Sequence, residues 1–177
     1  MSATVHATRP QPLWFIENLA YVHLDCDDTG GAYHLGEVVG RRGDMPPLHV
    51  HHRDDETFYV LEGELTLFLG DQQLTLPAGQ AALAPREVPH VYRVESEVAR
   101  WLVITSPAGF EEFVRAIAEP ADHDELPPEG RPVDPQAIAQ AAAVVGIEVL
   151  GPPGTLPQRH DAELNDPVPH SARSGRA

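Results

Sequence analysis

From Trp14 to Pro107 the chain breaks into short runs of strand character, each closed by a turn signal before a helix could complete more than a turn or two. Tyr21-Val22-His23-Leu24-Asp25 meets the turn Asp27-Asp28-Thr29-Gly30-Gly31, and Ala32 to Val39 ends at Gly40. Leu65 to Leu69 turns at Gly70-Asp71 into Gln73 to Leu76, which stops at Pro77-Ala78-Gly79. Ala81 to Ala84, His90 to Glu95 and Arg100 to Thr105 complete the series. Strands at this cadence predict an antiparallel barrel or sandwich.

After Thr105 the pattern changes. Ser106-Pro107 reads as a helix cap followed by proline in the first turn. Phe110, Phe113, Val114 and Ile117 then recur at helical spacing, up to Pro120. This aromatic stripe is expected to pack over one side of the β-domain. Residues 121–133 form an acidic, proline-rich connector, and Asp134-Pro135 caps a second helix with Ile138, Ala141, Ala142 and Val145 on one face. The expected organisation is an arm over 1–12, a β-domain over 13–107, a helical extension over 108–150 and a flexible tail over 151–177, rich in Gly, Pro and charge.

Composition narrows the chemistry. The net charge is −15 and all twelve basic residues are arginine. That balance disfavours nucleic acid and anionic membrane surfaces, where binding draws on Lys and Arg against phosphates. With no lysine, Schiff-base chemistry and the phosphate-loop lysine are excluded. No stretch approaches the roughly 20 apolar residues of a membrane helix. A lone cysteine, Cys26, allows no internal disulfide, fits the cytoplasm and reads as a small, at least half-buried residue.

The chemistry-bearing feature is Gly43, His49, His51, Glu56 and Gly63. On a strand, His49 and His51 share a face. Glu56 follows a charged turn, Arg53-Asp54-Asp55, which reads as solvated, and opens a second strand. A carboxylate on the same face as Phe58 and Val60 is costly to bury unless it meets a cation or a hydrogen-bond partner. Two imidazoles and a carboxylate suit one borderline divalent ion: Fe, Ni, Mn, Co or Zn. His90 is placed to give a fourth ligand. His52 faces the opposite way, and His23 and His34 read as core or surface positions on strands.

The spacing Gly-x5-His-x-His-x4-Glu-x6-Gly resembles the first motif of the cupin family. Gly79, Pro85 and His90 resemble the second, with Glu87 where the family has Gly and Val94 where it has Asn. A non-glycine at 87 is strained if the turn needs positive φ. The resemblance implies an all-β jelly-roll barrel, with the C-terminal helices packed outside, and one metal held by His49, His51, Glu56 and His90. Phe58 to Gly63, Pro89 to Arg93 and Pro107 to Glu111 are further similar to small bacterial cupins related to quercetin 2,3-dioxygenase. That similarity implies a homodimeric dioxygenase cleaving an enolic or phenolic, flavonol-like small molecule. Glu56 would act as general base, and Phe58, Val60 and Tyr92 would bind substrate, with packing as the alternative role for Tyr92. Two rival readings are a non-redox isomerase, cyclase or lyase using the metal as Lewis acid, and a cupin that binds a small ligand without turnover.

Overall fold

A computed structural model describes residues 10–158, so the expected arm and most of the expected tail lie outside the described residues. The strands in chain order are β1 (Leu13–Phe15), β2 (Asn18–Leu24), β3 (His34–Arg41), β4 (Pro47–His51), β5 (Asp55–Glu62) and β6 (Glu64–Leu69). They continue as β7 (Gln72–Pro77), β8 (Ala81–Ala84), β9 (His90–Val94), β10 (Val98–Ser106), β11 (Glu119–Pro120) and β12 (Ile147–Pro153). Three helices interrupt them: α1 (Cys26–Thr29), α2 (Phe110–Ile117) and α3 (Pro135–Val145).

These strands make two antiparallel sheets, ordered β11-β1-β2-β3-β10-β5-β8 and β12-β4-β9-β6-β7. The all-β jelly-roll expectation holds, as a sandwich of two sheets with free edges rather than a closed barrel. Alternation fixes which side chains point between the sheets. On β10 the buried residues are Ala99, Trp101, Val103 and Thr105, with half-buried or exposed residues between them. Opposite them stand Phe58 and Val60 of β5 and Val38 of β3, and Leu65, Leu67, Leu76 and Val94 close the core from the second sheet. A one-residue slip would turn this whole set to solvent, so the burial pattern itself holds the register.

Turn chemistry permits the tight joins. Gly63 links β5 to β6 at φ +76°, and a Cβ there would run into Ser96 Oγ and the Val98 carbonyl. Asp134 caps α3 by accepting from the N–H of Gln136 and Ala137, with Pro135 in the first turn, as its sequence predicts. The start of α2 differs from expectation. The Ser106 hydroxyl donates to Ala32 O at 3.0 Å instead of capping, Ser106–Pro107 is cis, and the helix begins at Phe110. Helices α2 and α3 pack together over an apolar cluster containing Phe15, Ala20, Phe113, Val114, Ile138 and Val145.

Two further differences matter. Ile147–Pro153, expected to pass from extension into loose tail at Leu150, forms the edge strand β12 along β4. Proline is tolerated there because an edge strand has no partner on its outer side. Cys26, expected to be at least half-buried, is exposed at the start of α1. None of the described helices is long and apolar enough to cross a membrane.

Candidate metal centre

Register brings the spaced residues together. His49 and His51 lie on β4 with alternation aiming both inward, and His90, first residue of β9, is paired with His49 across the ladder. Glu56 arrives from the opposite sheet on β5. One ligand atom from each of His49, His51, Glu56 and His90 lies within 4.8 Å of all the others. His51, Glu56 and His90 are buried, whereas His49 is half-buried and opens on the neighbouring cavity.

The outward bonds of the three rings decide what the cluster can hold. Nδ1 of His49 donates to Pro47 O at 2.8 Å and Nδ1 of His90 donates to Val88 O at 2.9 Å. Nδ1 of His51 faces Asp54 Oδ2 at 2.7 Å. Carbonyls and carboxylates only accept, so each Nδ1 carries a proton, and each Nε2, when it carries none, turns a lone pair toward the centre. Glu56 Oε2 lies 2.9 Å from His90 Nε2 and 3.5 Å from His51 Nε2. Lone pairs facing a carboxylate repel unless a cation or an added proton sits among them. His51 Nε2 has no hydrogen-bond partner among the described residues. Three nitrogens and one carboxylate oxygen therefore fit a single divalent transition metal.

Electrostatics favour a neutral His49 and an ionised Glu56, and place the competing proton on His51. Burial, joined by repulsion from His90, pushes His49 down to about 3, which keeps it neutral as a ligand must be. Burial works to raise Glu56, but a proton shared with His90 Nε2 and positive charge on the adjacent imidazoles outweigh it and bring it to about 2, the same charge that a cation at the centre would supply. Burial likewise opposes charge on His51, and Asp54 overcomes it, so its pKa moves up.

Asp54 is the residue that sequence reasoning missed here. The sequence places it in a solvated turn, yet it is buried and orients His51. Its neighbour Asp55 is half-buried and turns outward, paired with Arg86 at 3.0 Å. His52 is exposed, as expected, between Glu87 and Glu148 at 2.9 and 3.0 Å. Glu87 takes a positive φ, +66°, the condition under which a non-glycine there is strained. Its N–H donates to His51 O at 2.8 Å, so the strained turn is tied to the ligand strand.

A cavity of ≈ 600 Å³ adjoins the cluster, a size suited to a small organic molecule. His49, Glu56, Phe58, Tyr92, Trp101 and Phe110 are among its walls. Of the three residues expected to meet substrate, Phe58 and Tyr92 line it. Val60 does not: two positions further along β5 it is fully enclosed in the core against Trp101 and Leu65. The Tyr92 hydroxyl is already engaged, accepting from Asn18 Nδ2 and donating to Asp44 Oδ2, both at 3.2 Å. Burial raises Asp44 to about 6 despite these bonds. Phe110, expected only to cover the domain, stacks on the His51 ring at 5.9 Å and 18°.

Comparison with known proteins agrees with this geometry. Residues 37–105 match the family model of the cupin domain. Quercetin 2,3-dioxygenase from Bacillus subtilis is 32% identical over 166 residues, covering 91% of this chain and 49% of that protein. An uncharacterized protein from Aquifex aeolicus is 38% identical over 71 residues, 40% of this chain and 57% of that one. The chain thus spans about half the length of the curated relatives it matches. In fold alone it is similar to an RmlC-like cupin from Shewanella frigidimarina, with 18% identity, 61% and 96% of the two chains covered, and a TM-score of 0.52. Motif spacing, sandwich topology and these matches agree: the chain is a small cupin that resembles quercetin 2,3-dioxygenase-like proteins.

Proposed function

We propose that the protein is a metal-dependent dioxygenase that cleaves an enolic or phenolic, flavonol-like small molecule. The observation carrying this reading is the outward tethering of all three Nδ1 atoms beside an apolar-walled cavity. It leaves three nitrogen lone pairs and one carboxylate for an ion, with one side of the cluster facing a ligand-sized space. A bound divalent transition metal would supply a Lewis-acidic centre and, for Fe, Ni, Mn or Co, a route to dioxygen chemistry.

His49, His51, Glu56 and His90 would hold that ion. Glu56, ionised at neutral pH, is the group on hand to accept the proton of a substrate hydroxyl as it enters. Phe58 and Phe110 offer flat apolar walls to an aromatic substrate, and Tyr92, its hydroxyl fixed by Asn18 and Asp44, gives a rigid edge. Burial of His51, Glu56 and His90 would keep bulk water from the side of that ion away from the cavity. A homodimer in the cytoplasm completes the reading.

The test begins with metal analysis of protein purified without an affinity-tag histidine run. About one ion per chain is expected. Protein loaded with Fe(II), Ni(II), Co(II) or Mn(II) should then consume oxygen as quercetin absorbance falls. No oxygen uptake with any of the four metals refutes the dioxygenase reading. Turnover without oxygen would make the protein a Lewis-acid enzyme instead.

A further inference from the structure

The inner face of the larger sheet carries a second polar feature that the metal cluster does not use. His34 of β3, Thr105 of β10 and Glu56 of β5 stand opposite one another across three adjacent strands. Directly opposed residues of antiparallel strands share a face, so all three point between the sheets. His34 is thereby placed two strand spacings from the carboxylate of the metal cluster, roughly 10 Å at the backbone.

His34 is 1% exposed and lines the cavity, and neither ring nitrogen has a hydrogen-bond partner among the described residues. The Thr105 hydroxyl beside it is equally buried and equally without a partner. The adjacent buried carboxylate, Glu111, is committed elsewhere, accepting from the N–H of Cys26 and of Gly109, both at 2.9 Å. The ring is also seated by design of the strand. It folds back over Gly36, where an added Cβ would lie 2.8 Å from His34 Cε1. It packs against Phe110 at 5.7 Å, the same ring that stacks on His51. Burial lowers its pKa, so the imidazole is neutral and presents one donor and one acceptor.

A buried imidazole with both nitrogens unpaired is expensive where Leu or Phe would fill the same space, unless a ligand supplies the partners. We infer that His34 is a specificity-determining residue that hydrogen-bonds a polar substituent at the end of the substrate remote from the metal. The substrate class follows: a flat, largely apolar molecule with a chelating oxygen pair at one end and a hydroxyl or carbonyl across the ring system. This rests on the flavonol-like reading of the site, which it narrows to flavonols bearing a distal hydroxyl.

The experiment is a binding titration, followed by flavonol absorbance, of Zn(II)-loaded protein under argon. It compares quercetin, which carries distal hydroxyls, with 3-hydroxyflavone, which carries only the chelating pair. The native protein should bind quercetin on the order of ten-fold more tightly, the effect of about one neutral hydrogen bond. His34→Leu should abolish that preference while leaving 3-hydroxyflavone binding and metal content unchanged, and His34→Gln should restore part of it. His34→Leu that retains the preference, or that weakens both ligands equally, overturns the assignment, as does a native protein with no preference. A native protein that binds neither flavonol overturns the flavonol reading and this inference together. Should His34→Leu fail to fold, His34→Gln carries the test: a preference equal to the native value with Gly36→Ala also neutral refutes it.

Discussion

Asp54 offers the sharpest test of how the metal cluster is built, because it touches no ion and acts only through His51. Its Oδ2 lies 2.7 Å from His51 Nδ1, and both side chains are nearly inaccessible, at 9% and 1%. A buried hydrogen bond to a charged partner contributes about 1.5–3 kcal/mol. Supporting groups behind metal-bound histidines typically change affinity 10–100-fold. The two estimates coincide, since each 1.4 kcal/mol is a factor of ten. Asp54→Asn keeps an acceptor for Nδ1–H and loses the charge, so it should weaken Zn(II) binding by about ten-fold. Asp54→Ala loses acceptor and charge, frees the ring to take the other tautomer, and should weaken it by about a hundred-fold. Competition against a chromophoric chelator measures both. Asp55→Asn is the control, because Asp55 points outward to Arg86 and should leave metal affinity within about two-fold. A folded Asp54→Ala protein that binds Zn(II) as tightly as the native one refutes the orienting role, and with it the claim that tethered Nδ1 atoms aim the lone pairs.

Other outcomes follow from the same structure. Val60→Ala removes two fully buried methyl groups from the core and should cost about 2 kcal/mol in urea denaturation without altering ligand affinity, whereas Phe58→Ala should lower both. Gly63→Ala should destabilise the fold by on the order of 2 kcal/mol, read by the same denaturation, because φ +76° and the nearby Ser96 and Val98 atoms both resist a Cβ. Asp44 titrates near 3.8 unfolded and about 6 folded, so between those values the folded protein holds a proton that the unfolded chain has lost. Stability from this group therefore falls as pH rises through that window, and Asp44→Asn should gain thermal stability relative to the native protein between pH 4 and pH 7. A difference in Tm that stays flat with pH would contradict the raised Asp44 pKa.

The sequence made the clustering of these side chains legible because strand alternation is local: the spacing of His49 and His51 places both on one face whatever the rest of the chain does. Glu56 was legible because a carboxylate in step with Phe58 demands a partner. At Glu87 the sequence showed only that a positive φ would be strained, and the fold adopts that φ all the same. Asp54 was not legible, since nothing local separates it from Asp55. Which of two adjacent acids turns inward depends on how the loop enters β5. His34 was hidden for a related reason: its face depends on pairing with Thr105, some seventy residues away, and only that register aligns it with Glu56. Phe110 matched a helical packing stripe, and its contact with His51 required the relative placement of α2 and β4. Val60 followed the same alternation as Phe58, but depth along a strand, not facing, decides which residue reaches the cavity.

The pairing of β12 with β4 ties the integrity of the cluster to a segment well outside the cupin-matching region. Ile147 lies opposite His51 and Val149 opposite His49, while Gly146 O accepts from the N–H of His52 and Val144 O from Arg53. A shortened chain ending at Ser106 would leave the two-histidine strand as a bare sheet margin, free to fray or to recruit a strand from another molecule. Sequence drift in residues 144–149 would thus loosen the cluster with all four of its side chains intact, so an inventory of motif residues alone would misjudge which chains can still assemble it.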